Sequence, residues 1–298
     1  MELPMPASRH PAQHPVPLRH HDAQSGASTP KPHPEPSMPP SPATRPCLFI
    51  SGAAAGIGRA TTRLFAARGW FVGMGDIDEA GMAELVTELG ADKAMALPLD
   101  VRSPDDWHAA LAAFHARTGR LDLLVNNAGI LISGPLQDNT LSRHNAQIDI
   151  NVKGVLYGCH AGFAYLASTP RAQVINLASS AAFYGQASLA NYSATKFYVR
   201  GLTEALNIEW QDHDIRVRDI MPLFVRTAMV DDMNAQSIRR LGVHLTPEDV
   251  AAVIWKAAQH PGWGKVHWPV GAQASLLYKL TAITPDWLNR LVARRIAV

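Results

Sequence analysis

The chain has 298 residues, 47% of them hydrophobic, and a formal net charge of +2 at pH 7. This composition supplies enough apolar surface for one large core, and the balanced charge argues against a nucleic-acid-binding role. No apolar run approaches the ~20 residues of a membrane span. The two cysteines, Cys47 and Cys159, are too few and too far apart for a disulfide framework or a zinc site. We therefore expect a cytoplasmic protein.

Residues 1–45 predict a disordered tail. They hold 12 of the 22 prolines and hardly any aliphatic side chains, so they cannot bury enough surface to fold. A translation start at Met38 is an alternative, because the folded pattern begins just beyond it. Five histidines of the tail are candidates for adventitious metal binding, although a solvated tail is the favoured interpretation: His10, His14, His20, His21 and His33.

From Cys47 onward, short apolar runs alternate with longer segments of helical period. This alternation is typical of repeated βα units and predicts a doubly wound, seven-stranded parallel sheet, the Rossmann fold, in one domain over 46–298. Ser103 and Thr246, each followed by proline and two acidic residues, predict helix starts. The expected strands are 47–50, 70–75, 94–99, 121–125, 173–177, 215–221 and 265–268.

A glycine-rich segment follows the first predicted strand and opens the first helix, where backbone N–H groups and the helix dipole favour a pyrophosphate. Its glycines permit a tight turn and a close phosphate approach, although a plain glycine and alanine loop is the alternative. The residues expected at this dinucleotide site are Ser51, Gly52, Gly56, Ile57 and Gly58.

Asp76 ends the second predicted strand, where a carboxylate accepts hydrogen bonds from an adenosine ribose and repels a 2′-phosphate. We therefore expect NAD rather than NADP. Arg59 is a candidate phosphate contact, but an ordinary exposed helix residue is the favoured interpretation. Two further segments end strands at the same edge, Asp100-Val101 and Asn126-Asn127-Ala128-Gly129, and plain turn chemistry is their alternative.

Tyr192 and Lys196 lie four residues apart on a predicted helix and so share one face, where the ammonium favours the ionised phenol. That pairing makes Tyr192 a candidate general acid or base. Ser179 lies thirteen residues before the tyrosine, and Asn151 further upstream. In isolation, Ser179 could simply end a strand and Asn151 could cap a helix.

Together these residues resemble the short-chain dehydrogenase/reductase family, from about Cys47 to the last predicted strand. The resemblance implies hydride transfer between a nicotinamide and a hydroxyl or carbonyl carbon. It implies that Tyr192 exchanges the proton and that Ser179 orients the substrate oxygen. It also implies that Lys196 holds the nicotinamide ribose and lowers the pKa of Tyr192. It also assigns a proton relay through water to Asn151. Cofactor contacts are implied for Asp76, Asp100, Val101, Asn127, Ala128, Gly129, Val225 and Thr227.

The chain departs from the family pattern at two places. Ala178 precedes Ser179 where the family often has another serine, and Ser180 follows, but the spacing to Tyr192 selects Ser179 as the catalytic serine. Leu223 stands after Pro222, where the family has glycine.

The resemblance also implies a homodimer or homotetramer that acts on a small-molecule alcohol or ketone. A dinucleotide-binding regulator or scaffold without catalysis is the alternative, as is an epimerase or dehydratase, which would carry a longer C-terminal domain. The residues flanking the expected pocket suggest a hydrophobic substrate, steroid-like or with an acyl chain: Leu131, Ile132, Phe183, Tyr184, Gln186, Phe224, Met229 and Met233.

The C-terminal stretch predicts a basic, partly amphipathic helix. Leu288, Leu291, Val292 and Ile296 are interspersed with Arg290, Arg294 and Arg295. Subunit contact or covering of the active site is favoured over membrane-surface binding, because the arginines interrupt the apolar face.

Overall fold

The computed structural model describes residues 45–227 and 242–297, without the side chains of 296 and 297. Within these ranges, seven parallel strands form one sheet in the order β3-β2-β1-β4-β5-β6-β7, which confirms the predicted doubly wound sheet. The predicted boundaries are within two residues of the observed ones. The strands are β1 Cys47–Ser51, β2 Phe71–Asp76, β3 Ala94–Pro98, β4 Leu123–Asn126, β5 Gln173–Leu177, β6 Arg216–Met221 and β7 His267–Pro269. Nearly all of the predicted 1–45 tail, with Met38, lies outside the described residues, as do Met229 and Met233.

The helices lie between the strands and follow their predicted starts. Ser103 accepts a hydrogen bond from the backbone of Asp106, and Thr246 forms a reciprocal capping box with Asp249. The helices of the described part are α1 Gly56–Ala67, α2 Glu79–Leu89, α3 Pro104–Thr118, α4 Leu141–Ile148, α5 Gly154–Ala167, α6 Ala190–Glu209, α7 Pro247–Gln259, α8 Ala272–Ile283 and α9 Asp286–Ala297. The predicted C-terminal helix corresponds to α9, whereas α8 was not expected.

Both faces of the sheet are buried. In β1, Cys47 and Phe49 belong to one apolar cluster, with residues of α3, α5 and α6, while Leu48 and Ile50 belong to a second cluster, with residues of α1, α2 and α7. Because successive side chains of a strand point to opposite faces, a strand covered on both sides needs a continuous apolar run. This is why the short apolar runs of the sequence marked the strands.

A buried arginine fastens the end of α7 to the sheet. The Arg218 guanidinium donates to Gln173 Oε1 at 2.6 Å and to the carbonyl oxygens of Ala257 at 2.6 Å, His260 at 2.8 Å and Gly262 at 2.6 Å. Burial lowers its pKa to about 10. A cation at a helix C-terminus satisfies carbonyl groups that the helix itself leaves unpaired. The sequence offered no signal for this role, since Arg218 lies in the middle of a strand.

We expect Arg218→Met to lower the free energy of unfolding by about 3 kcal/mol, because the substitution keeps the apolar volume and leaves several buried carbonyl groups without donors. Urea denaturation at neutral pH measures the change. The control is Arg63→Met, which removes an exposed pair with Glu88 and should change stability little. Equal stability of the Arg218→Met and wild-type chains would contradict this role.

Candidate active site

A cavity of about 770 Å³ lies at the carboxyl ends of the strands, where β1 and β4 are neighbours although they are not consecutive. Open α/β sheets bind ligands at such a switch point, since the chain leaves the two strands in opposite directions. Predicted residues from every part of the site line the cavity: Gly52, Gly56, Ile57, Asp76, Asp100, Val101, Asn127, Ala128, Gly129, Ser179, Tyr192, Lys196, Val225 and Thr227.

The turn between β1 and α1 needs its glycines. Gly52 and Gly56 have φ angles of +67° and +50°, a region that favours glycine. A Cβ on Gly58 would clash with the carbonyl oxygen of Gly52, so only glycine allows the first turn of α1 to approach the loop. The result is a backbone-lined hollow at a helix N-terminus.

Ser51 and Asn127 join this turn to the loop after β4. The Ser51 Oγ accepts hydrogen bonds from the backbone N–H groups of Asn127 at 3.1 Å and Ala128 at 3.2 Å. In return, the Asn127 side chain donates to the carbonyl oxygens of Ser51 and Gly52, both at 2.9 Å. Neither Ser51 nor Gly58 is among the residues that line the cavity. Both support the loops that do.

Asp76 holds the far side of the glycine turn. Its carboxylate accepts hydrogen bonds from the backbone N–H groups of Ala54 at 2.9 Å and Asp78 at 3.1 Å. Arg59 donates to the Ala54 carbonyl at 3.3 Å and pairs with Glu84 at 3.4 Å. The guanidinium of Arg59 is thus engaged with the loop and a carboxylate.

Asp100 is paired with a residue that the sequence analysis missed. The Arg102 Nε donates to both carboxylate oxygens of Asp100, at 2.9 and 3.0 Å, and Arg102 also lines the cavity. This hydrogen-bonded cation lowers the pKa of Asp100. The only signal in the sequence was the close spacing of the two residues, which is common in ordinary turns.

Asn151 lies in a single π-helical turn, Asp149–Lys153, between α4 and α5. Such turns widen a helix and often occur at functional sites. The Asn151 Oδ1 accepts from the backbone N–H of Ile130 at 2.8 Å, and its Nδ2 donates to the Ile130 carbonyl at 2.8 Å and to Thr195 Oγ1 at 3.2 Å. The fully buried side chain therefore connects the loop after β4 to α6, behind the cavity wall.

Ser179, Tyr192 and Lys196 meet at one wall of the cavity. Tyr192 and Lys196 lie one turn apart on α6, and the Ser179 hydroxyl lies near enough to the Tyr192 phenol to lower its pKa. Lys196 Nζ donates to the Leu177 carbonyl at 2.7 Å and lies 5.7 Å from the centre of the tyrosine ring. Ser180, the neighbouring serine that the sequence also offered for this position, donates its backbone N–H to the Pro222 carbonyl.

Burial decides the charge of these two groups. It raises the pKa of Tyr192 to about 12, with a smaller opposing effect from the Ser179 hydroxyl. It lowers the pKa of Lys196 to about 8. The sequence predicted that Lys196 would lower the pKa of Tyr192, whereas in this structure burial raises that pKa. Removing a side chain from water disfavours its charged form.

The residues expected to flank the substrate fall into separate groups. Those that line the main cavity are Leu131, Gln186 and Phe224. Phe183 and Tyr184 line an adjoining cavity, together with Gln186, and Ile132 lines neither. Leu223 has no positive φ, so the replacement of the family glycine causes no left-handed backbone strain.

Other kinds of site find little support in the part of the chain that the structure describes. There, no cluster of three histidine, cysteine or acidic side chains is arranged to hold a metal ion. No helix in 45–227 or 242–297 combines the length and apolar character needed to cross a bilayer. Burial raises the pKa of both thiols, Cys47 and Cys159, to about 12, so neither is poised as a nucleophile.

The sequence is similar to that of known dehydrogenases. The sequence model of a family described as short chain dehydrogenase matches residues 46–238. The chain is 39% identical to a 3-alpha-(or 20-beta)-hydroxysteroid dehydrogenase of Mycobacterium tuberculosis over 184 residues, 61% of this chain and 70% of the relative. It is 33% identical to a 3-beta-hydroxysteroid dehydrogenase of Comamonas testosteroni over 219 residues, 69% of this chain and 85% of the relative.

A solved structure shares the fold closely. The 3-ketoacyl-(acyl-carrier-protein) reductase of Brucella melitensis, complexed with NADH, superposes with a TM-score of 0.71 at 27% identity, and the match covers 77% of this chain and 98% of the reductase.

The buried lysine should leave a measurable signature in stability. An unfolded lysine keeps its proton up to about pH 10.5, whereas Lys196 in the folded chain releases it near pH 8. Between these values the unfolded chain binds more protons, so we expect the wild-type free energy of unfolding to gain a rising contribution with pH. Lys196→Met should lack that contribution, as measured by urea denaturation across this pH range. The exposed Lys256→Met variant is the control and should behave as wild type. A Lys196→Met curve parallel to that of wild type would contradict the shift.

Proposed function

The chain belongs to the short chain dehydrogenase family, and from that premise we propose that it interconverts a hydrophobic secondary alcohol and its ketone, with NAD preferred over NADP. The observation that carries the proposal is the position of Ser179, Tyr192 and Lys196 in the same cavity as the glycine turn. A nucleotide hollow and a proton-transfer group that share one cavity favour an oxidoreductase over a regulator that only binds a dinucleotide.

The residues present fit a nicotinamide dinucleotide. The hollow above Gly52 and Gly56 lies at the N-terminus of α1, where N–H groups and the helix dipole favour a pyrophosphate. Asp76 would hold the adenosine ribose, Lys196 the nicotinamide ribose, and Val225, with Thr227, the carboxamide. The remaining cofactor-side residues are assigned to the adenine and the cavity wall: Ile57, Asp100, Val101, Asn127, Ala128 and Gly129. When bound, the cofactor supplies or accepts the hydride.

Ser179 and Tyr192 are proposed to handle the substrate oxygen. The Ser179 hydroxyl orients that oxygen and stabilises charge that develops on it. Tyr192 exchanges the proton, since Tyr192 lines the same cavity as Ser179, whose hydroxyl lowers the pKa of the phenol. We propose Asn151 as a positioning residue, because both ends of its amide hold Ile130 and its Nδ2 also contacts Thr195 of α6.

The charge states favour reduction near neutral pH. With a pKa of about 12, Tyr192 carries its proton and is ready to donate it to a carbonyl oxygen. Lys196, with a pKa of about 8, is mostly charged at pH 7 and so suited to a polar ribose. Oxidation needs the phenolate and therefore becomes more favourable as the pH rises.

The preference for NAD is proposed from the surroundings of Asp76. Its carboxylate lies at the end of β2 and faces the cavity, where it would repel a 2′-phosphate. Arg59 of α1 is already paired with Glu84, and Arg102 of the cavity wall with Asp100. Neither is left as a dedicated phosphate ligand.

A hydrophobic substrate is proposed from the walls around Tyr192. Leu131, Leu189 and Phe224 pack around the tyrosine in one apolar cluster, so a substrate that reaches the phenol contacts hydrocarbon. The names of the two relatives, both hydroxysteroid dehydrogenases, agree with this class. Assembly into a homodimer or homotetramer stays a prediction from the family, and a cytoplasmic location stays a prediction from the composition and the two cysteines.

We expect Tyr192→Phe to lower kcat by about a thousandfold while the Kd for NADH stays within about twofold, because the substitution removes only the hydroxyl group that exchanges the proton. Ketone reduction is followed by NADH absorbance, and cofactor binding by calorimetry. Tyr198→Phe, on the same helix with its ring 37% exposed, is the matched control and should keep full activity. Near-normal turnover by Tyr192→Phe would remove the phenol from the mechanism.

We expect Asp76→Asn to shift the ratio of kcat/KM for NADPH over NADH upward by roughly tenfold, since it removes one negative charge beside the ribose and keeps an oxygen that accepts from Ala54. Steady-state kinetics with both cofactors measure the ratio. Asp78→Asn, two residues away at the N-cap of α2, preserves the cap and should leave the ratio unchanged. A wild-type chain that prefers NADPH would overturn the assignment.

A further inference from the structure

A second cavity, of about 220 Å³, lies between the segment that follows Ser179 and the C-terminal helices α8 and α9. We call these two helices, Ala272–Ile283 and Asp286–Ala297, the C-terminal hairpin, and this cavity the side chamber. The hairpin supplies most of the chamber wall: Leu277, Leu280, Thr281, Thr284, Leu288, Asn289, Val292 and Ala293.

The side chamber adjoins the proposed active site. Ser180, Gln186 and Leu223 line both cavities. Ser180 directly follows Ser179, so the junction lies beside the residues proposed to hold the substrate oxygen. Leu223 stands where the family has glycine, so this chain places an aliphatic side chain at the junction.

The chamber offers hydrocarbon to an occupant. Its threonine hydroxyls are already used within the hairpin, since Thr281 donates to the Leu277 carbonyl at 3.0 Å and Thr284 donates to the Leu280 carbonyl at 2.7 Å. The Asn289 amide donates to the carbonyl of Thr284 at 3.1 Å and thereby closes the turn between the helices. Leu280 and Val292 stay 42% exposed each, so an apolar occupant would cover surface that the fold leaves open.

The hairpin is held against the proposed active site by ring contacts. Tyr278 of α8 lies 5.2 Å from Phe183, measured between ring centres, and 5.8 Å from His267 of β7. The guanidinium of Arg200, on the helix that carries Tyr192, lies 5.7 Å from the same tyrosine ring. The chamber is therefore built against the elements that position the proposed catalytic group.

We propose that the side chamber binds a hydrocarbon extension of the substrate, so that the chain acts on ketones and alcohols with an apolar chain or ring several carbons beyond the reacting carbon. This inference rests on the proposed function. The hairpin lies beyond residues 46–238, the part matched by the family, so the wall of the chamber that the hairpin supplies is outside the matched part. One molecule spans both cavities, with its oxygen at Tyr192 and its hydrocarbon between Phe183 and the hairpin.

The test uses NADH and methyl ketones of increasing length, from butanone to decanone. For the wild-type chain, kcat/KM should rise about fourfold with each methylene that enters the chamber and then level off, since burying one methylene is worth about 0.8 kcal/mol. Ala293→Phe fills the chamber from α9. It should abolish the rise and leave butanone reduction within about twofold of wild type.

The matched control is Ala282→Phe. Ala282 is exposed on the same hairpin and does not line the chamber, so this variant should keep the wild-type dependence on length. Leu288→Ala, which enlarges the chamber, should move the plateau to longer ketones. Thermal unfolding of each variant separates a lost subsite from a lost fold, and Leu288→Ala provides the test if Ala293→Phe does not fold.

The outcomes distinguish the two proposals. Reduction of all ketones with no dependence on length, or an unchanged dependence in Ala293→Phe, overturns the side chamber and leaves the proposed function standing. No turnover by wild type with NADH or NADPH overturns the proposed function. In that case, calorimetric binding of decanone that Ala293→Phe abolishes still supports the chamber. Ala293→Phe could instead alter the sedimentation coefficient or liposome binding and leave the dependence on ketone length unchanged. That result would assign the chamber to a subunit or membrane interface and overturn it as a substrate subsite.

Discussion

The hydrogen bonds between Ser51 and Asn127 join the ends of β1 and β4, and the cavity depends on that junction. The two strands are neighbours in the sheet although two βα units separate them in the chain. Their loops would otherwise diverge, because the connections run to opposite faces of the sheet. The missing Cβ of Gly58 lets α1 approach the Gly52 carbonyl and brings a helix N-terminus to the same point. Ser51 and Gly58 thus matter by holding other residues in place, without lining the cavity.

A similar support lies on the other side of the cavity. The π-helical turn places Asn151 where its amide holds Ile130 and contacts Thr195, so its side chain links the loop after β4 to α6. Lys196 is fastened to the Leu177 carbonyl at the end of β5. Burying a polar group away from water costs free energy unless the group is hydrogen-bonded. Each such hydrogen bond also restricts the conformations of the side chain that forms it. The same burial keeps Tyr192 protonated and makes Lys196 easier to deprotonate.

Much of this arrangement was predictable from local pattern. The strand positions followed from short apolar runs, because a strand covered on both faces has no polar side to interrupt the run. The glycine turn and Asp76 followed from their place at strand ends, and Ser179 from its distance to Tyr192. The partners were not predictable: Arg102 beside Asp100, Ile130 beside Asn151, and the helix end beneath Arg218 are all contacts that chain order does not encode. The pKa of Tyr192 was predicted in the wrong direction, because burial was not part of the local pattern.

The sequence by itself determined the order of strands and helices, the family and the residues offered for hydride chemistry, since these depend on periodicity, turn residues and spacing within short stretches. Only the tertiary structure decided which charges survive burial and what surrounds the substrate position. Desolvation depends on every element packed around a group, and α8 and α9 reach the proposed active site from about 90 residues further along the chain than Ser179. The ring contacts of Tyr278 with Phe183 and Arg200 help to hold the hairpin where it forms the side chamber.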